Sequence, residues 1–186
     1  MNSKVERLYL TGFMTSGKST IGPILANVIG WTFKDLDKVI EEVEGKKIVD
    51  IFKEDGEEYF RDLEYKLLFE FSGYKDIVLS LGGGTIVNER NLKLMKSTGK
   101  IVYLKSSPEM IYQRIKNKID RPIFRDLVLS GNAKPQDFIN RITKLLEERE
   151  RYYSSADFFI DTDKTRIGIT VDKLEKIIRK HIHEED

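Results

Sequence analysis

The sequence predicts an α/β fold in which a parallel sheet carries helices on both faces. Short runs of β-type apolar residues recur along the chain, and segments with a helical period separate them. Strands that alternate with helices form parallel sheets, because each crossover helix returns the chain to the same edge. The 186 residues suit one domain, so we expect a single domain over 1–186.

Each element follows from a local pattern. Residues 7–10 form a β-prone run that ends near a glycine loop, and apolar residues at helical spacing follow from Ile21. The remaining predicted strands are residues 31–34, 77–81, 101–104 and 158–160, and the remaining predicted helices are residues 38–43, 57–72 and 135–153.

The stretch RPIFRDLVLSGNAKP, residues 121–135, lacks a sustained period and contains Pro, Gly and Asn. We therefore expect a surface excursion with at most short helical turns. Such a loop in a compact domain is often a lid over a site. An ordinary surface connection fits the same residues.

Composition excludes several classes of function. Lys and Arg total 32 against 31 Asp and Glu, so extended contact with nucleic acid or with an anionic membrane is not expected. The absence of cysteine excludes disulfides, thiolate zinc sites and thiol catalysis. No apolar run resembles a signal peptide or approaches the roughly 20 residues of a membrane span. These features predict a cytoplasmic protein.

The strongest motif is GFMTSGKS, from Gly12 to Ser19, which fits GxxxxGK[ST] between a strand and a helix. Glycines let successive backbone N–H groups and the helix N-terminus point at phosphate oxygens. Lys18 would neutralise the transferred group, and the Ser19 hydroxyl would hold Mg²⁺. The motif predicts nucleotide phosphate binding, against the alternative of a plain glycine turn.

Two acids, Asp35 and Asp37, follow the second predicted strand. Acids one residue apart at a strand end can converge on a metal or a substrate hydroxyl. Alternatively, Asp37 only caps the helix at 38–43. Beside a phosphate loop, whose Mg²⁺ needs carboxylates, the ligand role is favoured.

Two arginines are candidates for binding an anion. On the helix at 57–72, Glu64 falls inside the apolar stripe, and Arg61 at its edge can pair with it. This pair is either purely structural or fixes the guanidinium to grip a carboxylate ligand. Arg149 lies on the apolar stripe of the helix at 135–153, whereas Arg151 points away. Arg149 therefore meets an internal acid or a substrate carboxylate.

Gly82, Gly83 and Gly84 directly follow the predicted strand at 77–81. Their lack of side chains would let a ligand approach the backbone at the carboxyl end of the sheet, although a flexible loop is the alternative. Arg121 opens the lid segment, and Arg114 precedes it by two helical turns. Either could reach phosphate when a lid closes, although lone surface arginines are common.

In this order, the residues resemble the shikimate kinase family over nearly the whole chain. The matching segments are GFMTSGKST, DLD, IFKEDGEEYFRDLE, LGGGTIV, RPIF, and LEERERYY before ADFFIDT. The resemblance implies a P-loop, nucleoside-monophosphate-kinase-like fold with a five-stranded parallel sheet. It also implies a mobile lid at about 119–134, a substrate-binding helical region at about 36–64, and a monomer.

The implied reaction moves the γ-phosphoryl of ATP to the 3-hydroxyl of shikimate in aromatic amino-acid biosynthesis. The resemblance places ATP on Gly12, Met14, Thr15, Ser16, Gly17, Lys18, Ser19, Thr20, Arg114 and Arg121, with Mg²⁺ on Ser19 and, through water, on Asp35. It places shikimate on Asp37, Arg61, Gly82, Gly83, Gly84 and Arg149. The implied catalytic residues are Asp37 as general base, Lys18 and Arg121.

The chain departs from the family pattern at Thr15, where glycine is common, at Arg151, where proline is frequent, and in a segment one residue shorter at 153–156. Two other functions remain open from the residues alone. One is a kinase of the same fold for another small hydroxylated acceptor, such as gluconate or a nucleoside monophosphate. The other is a nucleotide-binding regulator without turnover.

Overall fold

The computed structural model describes residues 5–116 and 122–182. The strands in this part of the chain are β1 (Arg7–Thr11), β2 (Thr32–Asp35), β3 (Ile77–Ser80), β4 (Lys100–Lys105) and β5 (Phe158–Asp161). The helices are α1 (Lys18–Ile29), α2 (Leu36–Glu44), α3 (Ile48–Glu54), α4 (Gly56–Phe71), α5 (Glu89–Thr98), α6 (Pro108–Ile115), α7 (Arg125–Leu129), α8 (Pro135–Tyr153) and α9 (Ile167–Ile182).

The five strands form one parallel sheet in the order β2-β3-β1-β4-β5. The register aligns Leu10 of β1 with Ser80 of β3, and Ser80 with Asp35 of β2. The loops that follow these three strands therefore leave the sheet at one edge. Ligands of open α/β sheets bind outside this edge, at the carboxyl ends of the strands.

Both faces of the sheet are covered, as predicted. Alternate residues of the strands point to opposite faces. Tyr9, Leu79 and Tyr103 join a core with residues of α2 to α5 and of α8. Leu8, Leu10 and Val102 join a second core with residues of α1 and α9. A third cluster packs Phe13, in the loop that follows β1, against residues of α6 and α8.

The structure confirms the predicted five-stranded parallel sheet, with strand bounds that differ by one or two residues. The segment that we expected to be a lid contains short helical turns, the 3-10 turn Pro122–Phe124 and α7. Sequence periodicity did not single out α3, α5, α6 or α9. Among the described residues, no helix is long and apolar enough to span a membrane.

Candidate functional site

The loop between β1 and α1 has the backbone shape of a phosphate cradle. Gly12 and Gly17 have φ angles of 146° and 104°, which L side chains rarely adopt. A Cβ on Gly12 would lie 2.6 Å from the Leu104 carbonyl oxygen, so the loop can pass this strand only with glycine. Lys18 Nζ donates to the carbonyl oxygens of Gly12, at 2.7 Å, and Phe13, at 3.1 Å. The Lys18 side chain therefore bends back over the loop.

Among the described residues, hydroxyl groups of this loop and of the last residue of β1 are buried without protein partners. Thr11 Oγ1, Thr15 Oγ1 and Ser16 Oγ are inaccessible and make no hydrogen bond within the part of the chain that is described. Buried polar atoms in proteins nearly always have partners, so unsatisfied ones in a loop of this shape indicate a ligand site. Thr15 itself has a φ of 59°, a left-handed conformation that is strained for a β-branched residue.

The two acids after β2 have different surroundings. Asp35 caps α2, because its carboxylate accepts from Lys38 N at 3.4 Å. The alternative in which Asp37 is the cap is therefore wrong: Asp37 lies within the first turn of α2. Its Oδ1 lies against Gly82, where a Cβ would approach it to 2.6 Å.

Asp37 also has an unusual proton affinity. Burial, together with the negative charges of Asp35 and Glu64, raises the pKa of its carboxyl group to about 6, against the lowering effect of Lys18. A half-buried carboxylate with this pKa can accept a proton near neutral pH. Lys18 of the phosphate loop therefore lies close enough to Asp37 for the two charges to interact.

Arg61 is held in place from two sides. Its Nη1 donates to Glu64 Oε2 at 3.1 Å, and its Nε and Nη2 donate to the exposed Glu57. Glu64 is 1% exposed, which confirms its predicted position on the apolar stripe of α4. The guanidinium carbon lies 5.2 Å from the ring centre of Phe60 and 6.0 Å from that of Phe52.

The glycine segment, Gly82 to Gly84, lies against two arginines. Arg149 Nη1 donates to Gly83 O at 3.1 Å, and its guanidinium carbon lies 5.4 Å from the centre of the Phe13 ring. At the next glycine, a Cβ on Gly84 would lie 3.3 Å from Arg61 Nη2. The sequence prediction that Arg149 points inward agrees with these contacts. Arg151 points outward and pairs with the exposed Glu89.

Arg114 lies beside the phosphate loop. It donates to Thr15 O at 3.0 Å, to Ser106 Oγ at 3.2 Å and to Thr162 O at 2.8 Å. It also lines a cavity of about 250 Å³ together with Gly17 and Ile167. This cavity adjoins the phosphate loop at Thr15 and Ser16 and suits the nucleoside end of a nucleotide.

The oxygen donors of the site suit Mg²⁺. Ser19 is exposed in the first turn of α1, and Asp35 ends β2 at the same edge of the sheet. Across residues 5–116 and 122–182, no three His, Cys, Asp or Glu side chains form a metal-binding group. One or two protein ligands are typical where Mg²⁺ arrives with substrate phosphates. Arg121, the predicted lid arginine, lies outside the described residues.

Sequence reasoning missed three residues at this site. Phe13 supports Arg149, and Thr85 and Asn91 bind the buried carboxylate of Glu64. Asn91 is fully buried on α5, four residues before the buried Met95. The sequence signal that could have identified Asn91 is therefore a polar residue on the apolar stripe of a helix.

Comparison with known proteins agrees with this geometry. The family model for shikimate kinase matches residues 14–183. The chain belongs to the shikimate kinase family. Among family members, the shikimate kinase of Chlorobaculum parvum is 46% identical over 176 residues, which cover 94% of this chain and 93% of the relative. That of Chloroherpeton thalassium is 44% identical over 179 residues, which cover 96% and 95%.

Solved shikimate kinases have the same fold. The Acinetobacter baumannii enzyme, whose structure contains shikimate, superposes with a TM-score of 0.83 at 30% identity, covering 97% of this chain and 96% of that one. The Bacteroides thetaiotaomicron enzyme gives 0.83 at 32% identity, covering 94% and 98%. A gluconokinase from Sinorhizobium meliloti, at 15% identity and a TM-score of 0.57, covers 94% and 92% and shares the fold alone.

Proposed function

We propose that this protein is a shikimate kinase that transfers the γ-phosphoryl of ATP to the 3-hydroxyl of shikimate. The products are ADP and shikimate 3-phosphate, within aromatic amino-acid biosynthesis. The observation that carries the proposal is that the three successive glycines, Gly82 to Gly84, lie against Asp37, Arg149 and Arg61 respectively. A small hydroxylated carboxylate fits this combination of two cations, bare backbone and a base.

On the nucleotide side, the loop from Gly12 to Thr20 binds the phosphates through backbone N–H groups and the N-terminus of α1. Lys18 neutralises charge on the transferred γ-phosphoryl. Met14, Thr15 and Ser16 contribute to the wall of the cradle, and Arg114 borders the nucleoside cavity. Arg121, on the lid side, completes the charge neutralisation at the phosphates in this proposal.

On the acceptor side, Arg61 and Arg149 bind the carboxylate of shikimate and fix its ring over the glycine segment. Asp37 then accepts the proton of the 3-hydroxyl as the oxygen bonds to the γ-phosphorus. The bond from that phosphorus to the β,γ-bridging oxygen breaks, and ADP leaves. Phosphoryl transfer depends mainly on alignment and charge neutralisation, which these residues supply.

Ser19 and, through water, Asp35 would hold Mg²⁺ in this proposal. When bound with ATP, the ion neutralises phosphate charge and orients the β- and γ-phosphates. The hydroxyl of Ser19 and the carboxylate of Asp35 are the oxygen ligands that Mg²⁺ prefers. We also propose a monomeric, cytoplasmic enzyme, and size-exclusion chromatography with light scattering tests the monomer.

The direct test is ADP release with ATP and Mg²⁺ across shikimate, quinate, gluconate and nucleoside monophosphates, with no-acceptor and no-enzyme controls. We expect release that depends on shikimate. Arg149→Ala should raise the KM for shikimate at least about tenfold and leave the KM for ATP nearly unchanged. Arg151→Ala is the matched control, because Arg151 leaves the same helix toward solvent. Equal effects of the two variants would contradict the carboxylate assignment.

A kinase for another acceptor remains the second candidate, since a gluconokinase shares the fold. Release of ADP that depends on gluconate or on a nucleotide, without release on shikimate, would favour it. ATP binding without turnover on any acceptor would instead indicate a nucleotide-binding regulator.

A further inference from the structure

A buried polar network surrounds the carboxylate of Glu64. Thr85 Oγ1 donates to Glu64 Oε1 at 2.7 Å, whereas Arg61 Nη1, at 3.1 Å, and Asn91 Nδ2, at 3.4 Å, donate to Oε2. The three donors come from α4, from the 3-10 turn Thr85–Val87, and from α5. One carboxylate therefore joins three separate segments of the chain.

Apart from Arg61, the residues of this network are too buried to reach the acceptor themselves. Glu64 is 1% exposed, and Thr85 and Asn91 are 0% exposed. Arg61 is the member with an accessible side chain, at 31%. Any effect of Thr85 or Asn91 on the reaction must therefore pass through Arg61 or through the neighbouring backbone.

The same residues hold the backbone of the glycine segment. Thr85 N donates to Gly82 O at 3.2 Å, and Asn91 Nδ2 donates to Thr85 O at 2.9 Å. The side chain of Asn91 thus spans from the turn after Gly84 to the carboxylate that pairs with Arg61. This bridge sets the distance between the guanidinium group and the glycine backbone.

Arg61 has a competing partner if the network is weakened. Glu57 is 68% exposed and already accepts two bonds from the guanidinium group. Surface pairs of this type are weak, whereas hydrogen bonds from a buried charged pair are strong and directional. When Glu64 loses the donors that fix its orientation, Arg61 is expected to shift toward Glu57 and away from the acceptor.

We infer that Thr85 and Asn91 are positioning residues for the acceptor. Through Glu64, they hold Arg61 at a fixed distance from Gly82 to Gly84. They set the affinity for the acceptor carboxylate and leave the affinity for the nucleotide unchanged. The inference rests on the proposed function, since it assigns a role within that acceptor site.

The first test replaces Thr85 by residues that differ in the hydroxyl group. Thr85→Val has nearly the same shape and lacks the donor to Glu64, whereas Thr85→Ser keeps the donor. We expect Thr85→Val to raise the KM for shikimate about tenfold with the KM for ATP within about twofold, and we expect Thr85→Ser to restore the wild-type value. Isothermal titration with shikimate should show the same split in affinity.

The second test uses Asn91→Leu, with Asn88→Ala as the matched control. Asn88 caps the same helix by accepting from Arg90 N and Asn91 N, so its loss destabilises α5 but leaves the donors to Glu64 in place. Asn91→Leu should raise the KM for shikimate, and Asn88→Ala should lower the melting temperature without changing that KM. If Asn91→Leu does not fold, the comparison of Thr85→Val with Thr85→Ser tests the inference on its own.

Three outcomes overturn the inference. A Thr85→Val enzyme with the shikimate KM of Thr85→Ser would show that the hydroxyl does not position Arg61. Equal increases in the KM values for shikimate and ATP would show a general structural effect. A wild-type enzyme without turnover on shikimate would contradict the proposed function and this inference together. The first two outcomes leave the proposed function intact.

Discussion

Asp37 combines partial burial with neighbouring negative charge, which raises its pKa to about 6. In the proposed reaction it must be ionised to accept the proton of the acceptor. We therefore expect kcat/KM for shikimate to rise with pH through about 6 and then to level off. Asp37→Asn should lower kcat at least about 100-fold, with the KM for ATP within about threefold. A pH–rate profile from pH 5 to 8.5 checks this, and unchanged turnover would remove the role of Asp37.

The same raised pKa predicts that Asp37 lowers stability at neutral pH. Its ordinary pKa is near 3.8, so ionisation costs more in the folded chain than in the unfolded chain. Its contribution is fully favourable below pH 4 and is lost as pH rises through about 6. For a half-buried group, we expect Asp37→Asn to stabilise the fold by about 1 to 2 kcal/mol at pH 7.5 and by almost nothing at pH 4.

Urea unfolding at the two pH values measures the effect. Asp62→Asn is the matched control, because the Asp62 side chain is 76% exposed on α4. If Asp62→Asn gained as much stability as Asp37→Asn, the cause would be the change in net charge and not the raised pKa of Asp37. No gain in Asp37→Asn at pH 7.5 would contradict the raised pKa.

Thr15 has a φ of 59° in the phosphate loop. Holding a β-branched residue in the left-handed region costs about 1 to 2 kcal/mol, whereas glycine adds about 0.5 to 1 kcal/mol of unfolded-chain entropy. Thr15→Gly should therefore stabilise the fold by about 0.5 to 1 kcal/mol in urea unfolding. Asp76, at φ 53°, is the control, because Asp tolerates this conformation and Asp76→Gly should gain less. Equal gains would show that the strain at Thr15 is not special.

Residues differed in how well the sequence predicted them. Arg149 was recognisable because a 19-residue helix keeps its period long enough to define an inward stripe. The bonds of Asn91 were not, because its partners, Glu64 and Thr85, are 27 and 6 residues away along the chain. The capping role of Asp35 was missed because α2 begins two residues earlier than its apolar pattern suggested.

At the scale of elements, the glycines after β3 look alike in sequence but have different surroundings. A Cβ on Gly82 would lie 2.6 Å from Asp37 Oδ1 and 3.1 Å from Thr85 Oγ1, whereas on Gly83 the nearest atom is Arg149 Nη1 at 3.7 Å. Neither glycine has a left-handed φ. The two positions therefore differ in space and not in backbone strain.

We expect Gly82→Ala to displace Asp37 and to lower kcat/KM for shikimate at least about tenfold, because small displacements of a reacting group are costly. Gly83→Ala should stay within about threefold of wild type. Steady-state kinetics of the two variants, with melting temperatures to exclude unfolding, give the comparison. A larger loss in Gly83→Ala than in Gly82→Ala would show that the Cβ positions do not govern the site.

The strands and helices were predictable where each was long enough to show a clear hydrophobic pattern. The strand β3 begins with three consecutive apolar residues, because both of its faces are buried. The helices α3 and α7 have seven and five residues, which is too short for a helical period to be distinctive. The 3-10 turn after the glycines depends on tertiary contacts of Thr85, and no local pattern encodes it.

At the scale of the molecule, the proposed site has two neighbouring regions at the carboxyl ends of the strands. In this proposal the acceptor region lies beyond β2 and β3, and the nucleotide region lies beyond β1, β4 and β5. The strand order was not predictable from periodicity, because it depends on which strands pair across the crossovers. The resemblance to the shikimate kinase family supplied the five-stranded sheet before the structure did.

Arg114 joins the parts of the nucleotide region. Its three hydrogen bonds reach the phosphate loop at Thr15, the residue after β4 at Ser106, and the residue after β5 at Thr162. Ser106 Oγ in turn contacts Asp163, so one guanidinium group connects three loops at the sheet edge. Within the described part of the chain, none of these hydrogen bonds connects Arg114 with Arg61, Glu64 or the glycine segment.

Arg114→Met keeps most of the aliphatic side chain and removes these donors. We expect a loss of about 1 to 3 kcal/mol in unfolding free energy and about a tenfold rise in the KM for ATP, with the KM for shikimate within about twofold. Arg151→Met is the control, because its exposed side chain should change either quantity little. This pattern is the reverse of that expected for Thr85→Val. An equal rise of both KM values in Arg114→Met would mean that the two regions are mechanically coupled through the sheet edge.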